Sequence, residues 1–485
     1  MDKQRIILRA DGNAEIGLGH VSRCLALAEA LPEDFHTILA IQQPDAYILP
    51  MLKGRVAEVI QLERTKPSSA QYSLELDPFL GGDEIVVLDG YAFTRDYEQR
   101  MKDKVRAVVS IDDIPNRHFV ADAVINFSGG VKVTDYSKEF YTQLFLGLDF
   151  LFLRSPFLRM PQESKKMSDH LFLNMGGTDF NNHTARILNE ISGFQGKIEI
   201  VIGDGYAHAR ELEAMARGNK KVEILKGLGA EEMYACMKRC AYAIVPPSTV
   251  SLEFLSTGGI VFLHQTAANQ AVQGKYLMEA GLAFDYSNFW PMVSAGFEPV
   301  IDRAAKLQEK LFDGSSLNRI RKVFGQIGLS SRVRLRRATA DDINQCYQWA
   351  NDPEVRKYSY SENMIAWEEH VQWFHRKLAD PNCYYFVAEI EECPVGQMRF
   401  DLLEDDAFQI SYSLDEDWRG KGLGHYLLVK GVKELNLSTE VKRIIGYVRE
   451  INIPSIWAFQ KAGFKMLQTD KYADSIKFEL LLNSE

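Results

Sequence analysis

The sequence predicts an α/β protein of two Rossmann-like domains followed by one α+β domain, and three observations carry that prediction. The first half alternates short apolar, β-branched runs with stretches of helical periodicity, which is the pattern of parallel layers. At 485 residues the chain is too long for a single core. Near residue 330 the pattern changes to neighbouring strands with short connections, which read as antiparallel hairpins.

Taken in order, Arg5–Ala10 reads as a strand, and Val21–Leu31 as a helix whose apolar face carries Leu25, Leu27, Ala28 and Leu31. Glu84–Leu88, Val105–Ile111 and Ala123–Ile125 are further buried strands. The polar stretch from Met160 to Lys166 joins a second series, with strands His170–Met175, Ile198–Ile202, Val222–Leu225, Tyr242–Val245 and Ile260–Leu263. Two such units in tandem place a ligand cleft between them. After Gly325–Ser331 come a basic strand, Arg332–Arg337, and a helix capped by Thr339 with Asp341 and Asp342 in its first turn. A helix at Trp367–Leu378 and strands Tyr384–Ile390, Gly396–Leu403 and Phe408–Leu414 follow. The expected domains are 1–160, 161–328 and 332–485.

Composition narrows the function. Hydrophobic residues at 46% and charged residues at 25% are globular proportions, and Lys+Arg 56 against Asp+Glu 66 gives 56 − 66 = −10. That balance repels a phosphate backbone, so no nucleic acid partner is expected. Six cysteines are scattered; Cys236 and Cys240 lack the spacing and the second pair of a zinc site, so they read as buried free thiols and no metal is expected. No signal-peptide apolar region precedes Asp11, and no stretch reaches the ~20 apolar residues of a membrane helix. The expectation is a cytoplasmic protein, without membrane contact and of undetermined oligomeric state.

The sharpest local pattern is Trp418-Arg419-Gly420-Lys421-Gly422-Leu423-Gly424, between the strand ending near Leu414 and a helix over His425–Leu435. Its glycines let the backbone approach a ligand, and the amides opening the helix form an anion site suited to a diphosphate. After a strand at Arg443–Arg449 comes Asn452-Ile453-Pro454-Ser455, continuing to Phe459-Gln460-Lys461-Ala462-Gly463-Phe464. Together these motifs resemble the GNAT acetyltransferase superfamily from about Val333 to Phe478. The resemblance implies acetyl-CoA as co-substrate, with Arg419, Gly420, Lys421, Gly422, Leu423 and Gly424 at its pyrophosphate and Asn452, Ser455 and Lys461 in a second cofactor segment. It also implies that Gln409–Leu414 pairs with the pantetheine arm as an extra strand. Many family members carry a proton-donating tyrosine where this chain has Phe459. On charge alone Lys461 reads as a solvated helix lysine.

Near the amino terminus, Arg9-Ala10-Asp11-Gly12-Asn13 runs on to Gly17-Leu18-Gly19-His20-Val21-Ser22-Arg23-Cys24-Leu25, a glycine-rich loop between the first strand and first helix. Gly17 and Gly19 remove side chains that would shield His20 from a ligand, and Arg23 falls one turn later on the same face. This signature resembles the UDP-sugar hydrolases of pseudaminic acid biosynthesis, relatives of the GT-B glycosyltransferases. Further matches are Leu88-Asp89-Gly90-Tyr91, Ile111-Asp112-Asp113, Met175-Gly176-Gly177-Thr178-Asp179, Ser248-Thr249, Glu253 and Asn269-Gln270. The first two domains are thus expected to be of GT-B type and the last a GNAT domain. The resemblance implies a UDP-sugar substrate, its phosphates at Gly176, Gly177, Ser248 and Thr249 and its ribose at Glu253. Pro246-Pro247 replaces the glycines common before the Ser-Thr pair and withholds amide donors there.

Inverting hydrolysis needs a placed water, a group to accept its proton and stabilisation of the departing diphosphate. His20 is expected to orient or deprotonate that water, Asp11 holds the loop or its water, and Tyr91, Asn269 and Gln270 position the sugar. The two families imply consecutive steps on one sugar: acetylation of UDP-4-amino-4,6-dideoxy-N-acetyl-altrosamine, then release of UDP from the diacetamido product. Two other readings stay open, a GT-B glycosyltransferase joined to a protein or other amine acetyltransferase, and a non-catalytic nucleotide-sugar sensor.

Overall fold

A computed structural model describes residues 3–482 except 14–16, 47, 68, 70, 159–166, 296–297, 404–405, 470 and 473. The expected linker and the boundary at 160 lie outside the described residues. Contacts divide the chain into two units, Met1–Phe324 and Gly325–Glu485.

The first unit holds two parallel sheets. The first comprises β1 (Gln4–Ala10), β2 (Phe35–Gln42), β3 (Glu58–Leu62), β4 (Ile85–Asp89), β5 (Ala107–Ile111), β7 (Ala123–Asn126) and β9 (Gln143–Leu146), in the order β3-β2-β1-β4-β5-β7-β9. A two-stranded ribbon, β6 (His118–Phe119) with β8 (Ser137–Lys138), lies apart from it. The second comprises β10 (Met167–Leu173), β11 (Lys197–Ile202), β12 (Val222–Lys226), β13 (Cys240–Val245), β14 (Ile260–Leu263) and β15 (Phe284–Asp285), in the order β12-β11-β10-β13-β14-β15. Both are doubly wound, with the strand order reversing between β1 and β4 and between β10 and β13; ligands bind at such switch points. The apolar runs owe their form to burial on both faces: Ile6, Ile7 and Leu8 in β1 and Ile85, Val86 and Val87 in β4 are fully buried. β2 and β3 add to the strands expected from the sequence, and Ile38–Ile41 is an apolar run of the same kind.

Met175 falls outside its expected strand, because β10 ends at Leu173 and Gly176 turns the chain with φ +96°. The two halves of this unit meet through side chains. Arg154 holds Glu253 with two bonds of 2.7 and 2.6 Å, and Arg321, on the helix Ser316–Ser331, reaches the Ala30 carbonyl at 2.9 Å.

The second unit has one mixed sheet, ordered β16-β17-β18-β19-β20-β22-β21. Its strands are β16 (Arg334–Arg337), β17 (Cys383–Ile390), β18 (Cys393–Leu402), β19 (Ala407–Leu414), β20 (Arg443–Arg449), β21 (Lys465–Leu467) and β22 (Ser475–Leu481). The expected hairpins are present as antiparallel pairs β17–β18 and β18–β19. Thr339 caps the first turn as expected, its amide donating to the Asp342 carboxylate at 2.8 Å, and Arg336 holds that carboxylate in turn. β19 runs parallel to β20 only from Ala407 to Ile410, so Ser411–Leu414 have no strand partner on that side among the described residues. That corrects the expected pantetheine edge: Gln409 and Ile410 are already paired, and the open edge begins at Ser411.

Candidate active sites

In the first unit the site forms where β1 and β4 end. Gly17 (φ +78°) and Gly19 have no atom of the described residues within 4 Å of where a Cβ would stand. His20 is 8% exposed and lies edge-on beneath Tyr91, ring centroids 4.9 Å apart. Its setting is set by Asp89, the fully buried last residue of β4, whose Oδ1 lies 2.7 Å from His20 Nδ1. The carboxylate favours the proton on Nδ1, which leaves Nε2 as the basic atom, while Arg23 Nη2, a donor only, lies 2.8 Å from the same Nδ1. Asp89 also accepts from Arg23 Nε at 3.0 Å and Nη2 at 2.5 Å. Burial alone would raise the Asp89 carboxyl, but the Arg23 charge and the His20 hydrogen bond outweigh it and hold it below its ordinary value.

Arg23 continues to Asp113 at 3.1 Å, Asp113 accepts from the Tyr91 hydroxyl at 3.0 Å, and that hydroxyl accepts from Asn269 Nδ2 at 2.8 Å. One polar chain therefore runs from His20 in the first half to Asn269 in the second. The sequence reading quoted Asp89 and Asp113 within motifs and gave neither a role; their signal was position at the carboxyl ends of two buried strands. A hollow lined by Gly90, Tyr91, Asp112, Asp113, Asn116 and Arg117 opens beside them.

Several expected roles change. Asp11 is bonded to Arg9, at 2.6 and 2.8 Å, and to the Gln42 amide at 2.9 Å, so it braces the loop. Gln270 does not face a sugar: its Oε1 accepts from the Thr266 and Ala267 amides at 2.9 and 3.2 Å and its Nε2 returns to Thr266. Glu253 is 3% exposed with both oxygens on Arg154, so a ribose would have to share that carboxylate.

At the second switch point, Gly176 and Gly177 have open space at their Cβ positions. Ser248 precedes the helix Thr249–Ser256 without a side-chain cap bond. Its amide is already bonded to the Pro246 carbonyl at 2.8 Å, so Thr249, the first residue of the helix, is the next amide in line.

In the second unit, Gly420 (φ +73°) and Gly422 (φ +78°) take left-handed conformations that favour glycine. A Cβ on Gly424 would stand 3.3 Å from Ala458 Cβ and 3.4 Å from Tyr412 Oη. Arg419 braces the loop through the Leu414 carbonyl at 3.0 Å and Asp352 at 3.0 Å, while its buried Nη2 has no hydrogen-bond partner among the described residues. Leu423 is buried and offers only its backbone; Lys421 lies over the Trp418 ring at 4.6 Å. Asn452 caps its helix, its Oδ1 accepting from the Ser455 amide at 3.2 Å, and Lys461 is exposed on the last turn of its helix.

Phe459 is 3% exposed and packs on Phe464 and Phe478. The phenol beside the loop is Tyr412, paired with Ser455 Oγ at 3.0 Å and pushed up to about 12 by burial, so it keeps its proton at neutral pH.

A family model for the acetyltransferase (GNAT) domain matches residues 332–465. The chain is 22% identical over 485 aligned positions to an uncharacterised protein of Methanocaldococcus jannaschii, covering 95% of this chain and 96% of that one. It is also 22% identical over 293 residues to the UDP-2,4-diacetamido-2,4,6-trideoxy-beta-L-altropyranose hydrolase of Campylobacter jejuni, covering 58% of this chain and 99% of the relative. The chain is an enzyme that joins a hydrolase homologue to a GNAT acetyltransferase domain. Among solved structures, AAC(6')-Ib in complex with ribostamycin and coenzyme A is 21% identical and covers 31% of this chain and 93% of that one, with TM-score 0.29. Among the described residues no helix is long and apolar enough to cross a membrane.

Proposed function

We propose that the protein is a bifunctional nucleotide-sugar enzyme, acetylating the 4-amino group of UDP-4-amino-4,6-dideoxy-N-acetyl-altrosamine and then hydrolysing the diacetamido product to UDP and free sugar, as in pseudaminic acid biosynthesis. The observation that carries the hydrolase is the Asp89–His20 pair at the β1/β4 switch point, linked through Arg23, Asp113 and Tyr91 to Asn269. Similarity to the Campylobacter jejuni hydrolase supports the substrate class.

In this reading, His20 Nε2 takes the proton of the attacking water and Asp89 stabilises the imidazolium that results. Tyr91 and Asn269 hold the sugar. Gly176, Gly177 and the Thr249 amide meet the departing phosphates. We retain the division 1–160, 161–328 and 332–485, with the first two domains arranged as in GT-B enzymes, which the two matching sheet orders support.

The open Ser411–Leu414 edge and the amides opening the helix Leu423–Ser438 fit acetyl-CoA, which supplies the acetyl group. Tyr412, with Ser455, holds a proton beside that loop where Phe459 has none to give. The test is incubation of the protein with the 4-amino UDP-sugar, with and without acetyl-CoA, followed by NMR. UDP is expected only when acetyl-CoA is present and only after the acetylated intermediate forms. A buried 4-ammonium without a partner costs several kcal/mol, whereas an acetamide offers one donor and one acceptor. Release of UDP from the unacetylated sugar at a comparable rate would overturn the order.

A further inference from the structure

Away from both sites, the second sheet buries a cluster that neither activity uses. His170 on β10, Glu199 on β11 and Cys240, the first residue of β13, bring one nitrogen, one oxygen and one sulfur within 4.8 Å of one another. Cys236, one turn earlier on the helix Ala230–Arg239, donates to Glu199 Oε2 at 3.0 Å and faces the Cys240 thiol. His170 Nδ1 lies 3.1 Å from Glu199 Oε1. A tetrahedral metal bound at ~2.0–2.3 Å holds neighbouring ligand atoms ~3.3–3.8 Å apart, so small side-chain shifts close this set around an ion.

We propose that Cys236, Cys240, His170 and Glu199 form a site for a thiophilic divalent cation of the zinc class. The donors come from three neighbouring strands and the helix that leads into one of them, so the ion would tie the sheet to that helix at the end opposite the Gly176 and Ser248 loops. Mixed sulfur and nitrogen ligation with a single carboxylate selects zinc-like ions over magnesium or calcium. Cys236, Cys240 and Glu199 are at most 1% exposed, so four protein ligands close the site and leave no position for a substrate.

The surroundings suit a dication. Two thiolates and one carboxylate carry three negative charges, matched by the ion together with Arg239, whose Nη2 lies 2.6 Å from Glu199 Oε2. Binding is balanced by release of two thiol protons to solvent as two metal–sulfur bonds form. The spacing that argued against zinc in the sequence is irrelevant here, since half the ligands come from strands remote in the chain.

The test uses the full chain, stripped with a chelator and titrated with Co²⁺. One equivalent should give an intense thiolate-to-cobalt band in the near ultraviolet with tetrahedral visible bands, should be displaced by Zn²⁺, and should raise Tm. Cys240→Ser and Cys236→Ser should lose at least half of the near-ultraviolet band, and His170→Ala should weaken Co²⁺ binding at least tenfold. Wild-type protein that gives no such band and no Tm shift overturns the proposal whatever the variants do. So does a band that survives unchanged in both cysteine variants.

Discussion

Asp89→Asn isolates the element on which the hydrolase reading rests. The substitution keeps size and burial but turns a triple acceptor into an amide whose NH2 faces the donors His20 Nδ1 and Arg23. His20 then loses the partner that fixes its tautomer, and Nε2 is no longer reliably the basic atom. Removing an oriented base costs ~10²–10⁴ in rate, and Asp→Asn behind a catalytic histidine falls at the upper end, so a loss of at least ~100-fold is expected, about 2.7 kcal/mol of barrier. Breaking a buried ion pair costs ~3–5 kcal/mol of stability; Arg23 keeps Asp113 at 3.1 Å, which places this variant near the lower figure. The assay is UDP release from the diacetamido UDP-sugar, with acetyl transfer measured on the same preparation as a control for the second unit. Folded Asp89→Asn protein releasing UDP within threefold of wild type would refute the assignment of His20 as the base.

Three further outcomes follow from the second unit. Gly424→Val forces a branched side chain against Ala458 and Tyr412, so acetyl-CoA binding measured by calorimetry should fall at least tenfold while UDP release holds. Phe459→Tyr should not raise acetyl transfer and should cost ~1–3 kcal/mol in urea unfolding, because Phe459 Cζ points at Gly446, 2.5 Å from where a Cβ would stand, and a buried hydroxyl there has no room for a partner. Burial and the Lys461 charge, opposed by a hydrogen bond to the Gly422 backbone, leave His425 at about 4, below its unfolded value of ~6.5. The folded chain therefore binds fewer protons between those values, and stability falls as pH drops from about 6.5 toward 4, by up to ~1.4 kcal/mol per pH unit. Five of the six tryptophans, Trp349, Trp367, Trp373, Trp418 and Trp457, lie in this unit, so their fluorescence in urea at pH 7 and pH 5 reads the effect, which His425→Gln should abolish.

What the sequence determined by itself was everything carried by local pattern. Strands such as Ile260–Leu263 and the hairpins of the second unit are legible because a run buried on both faces is uniformly apolar and a short connection forces antiparallel pairing. The glycine loops are legible because left-handed φ at Gly17, Gly420 and Gly422 favours one residue type. β2 carries the same signal in Ile38–Ile41.

Only the tertiary structure decided which polar groups meet. His20 and Asp89 are 69 positions apart and Tyr91 and Asn269 178 apart, and nothing in either neighbourhood encodes the pairing. It arises because parallel strands β1 and β4 align Ala10 with Asp89, bringing the loop after one beside the end of the other. Gln270 and Asn452 show the converse. Each sits in a motif that suggests a ligand, yet each is captured by amides of its own turn, because a backbone donor a few residues away is met at less entropic cost than a distant partner.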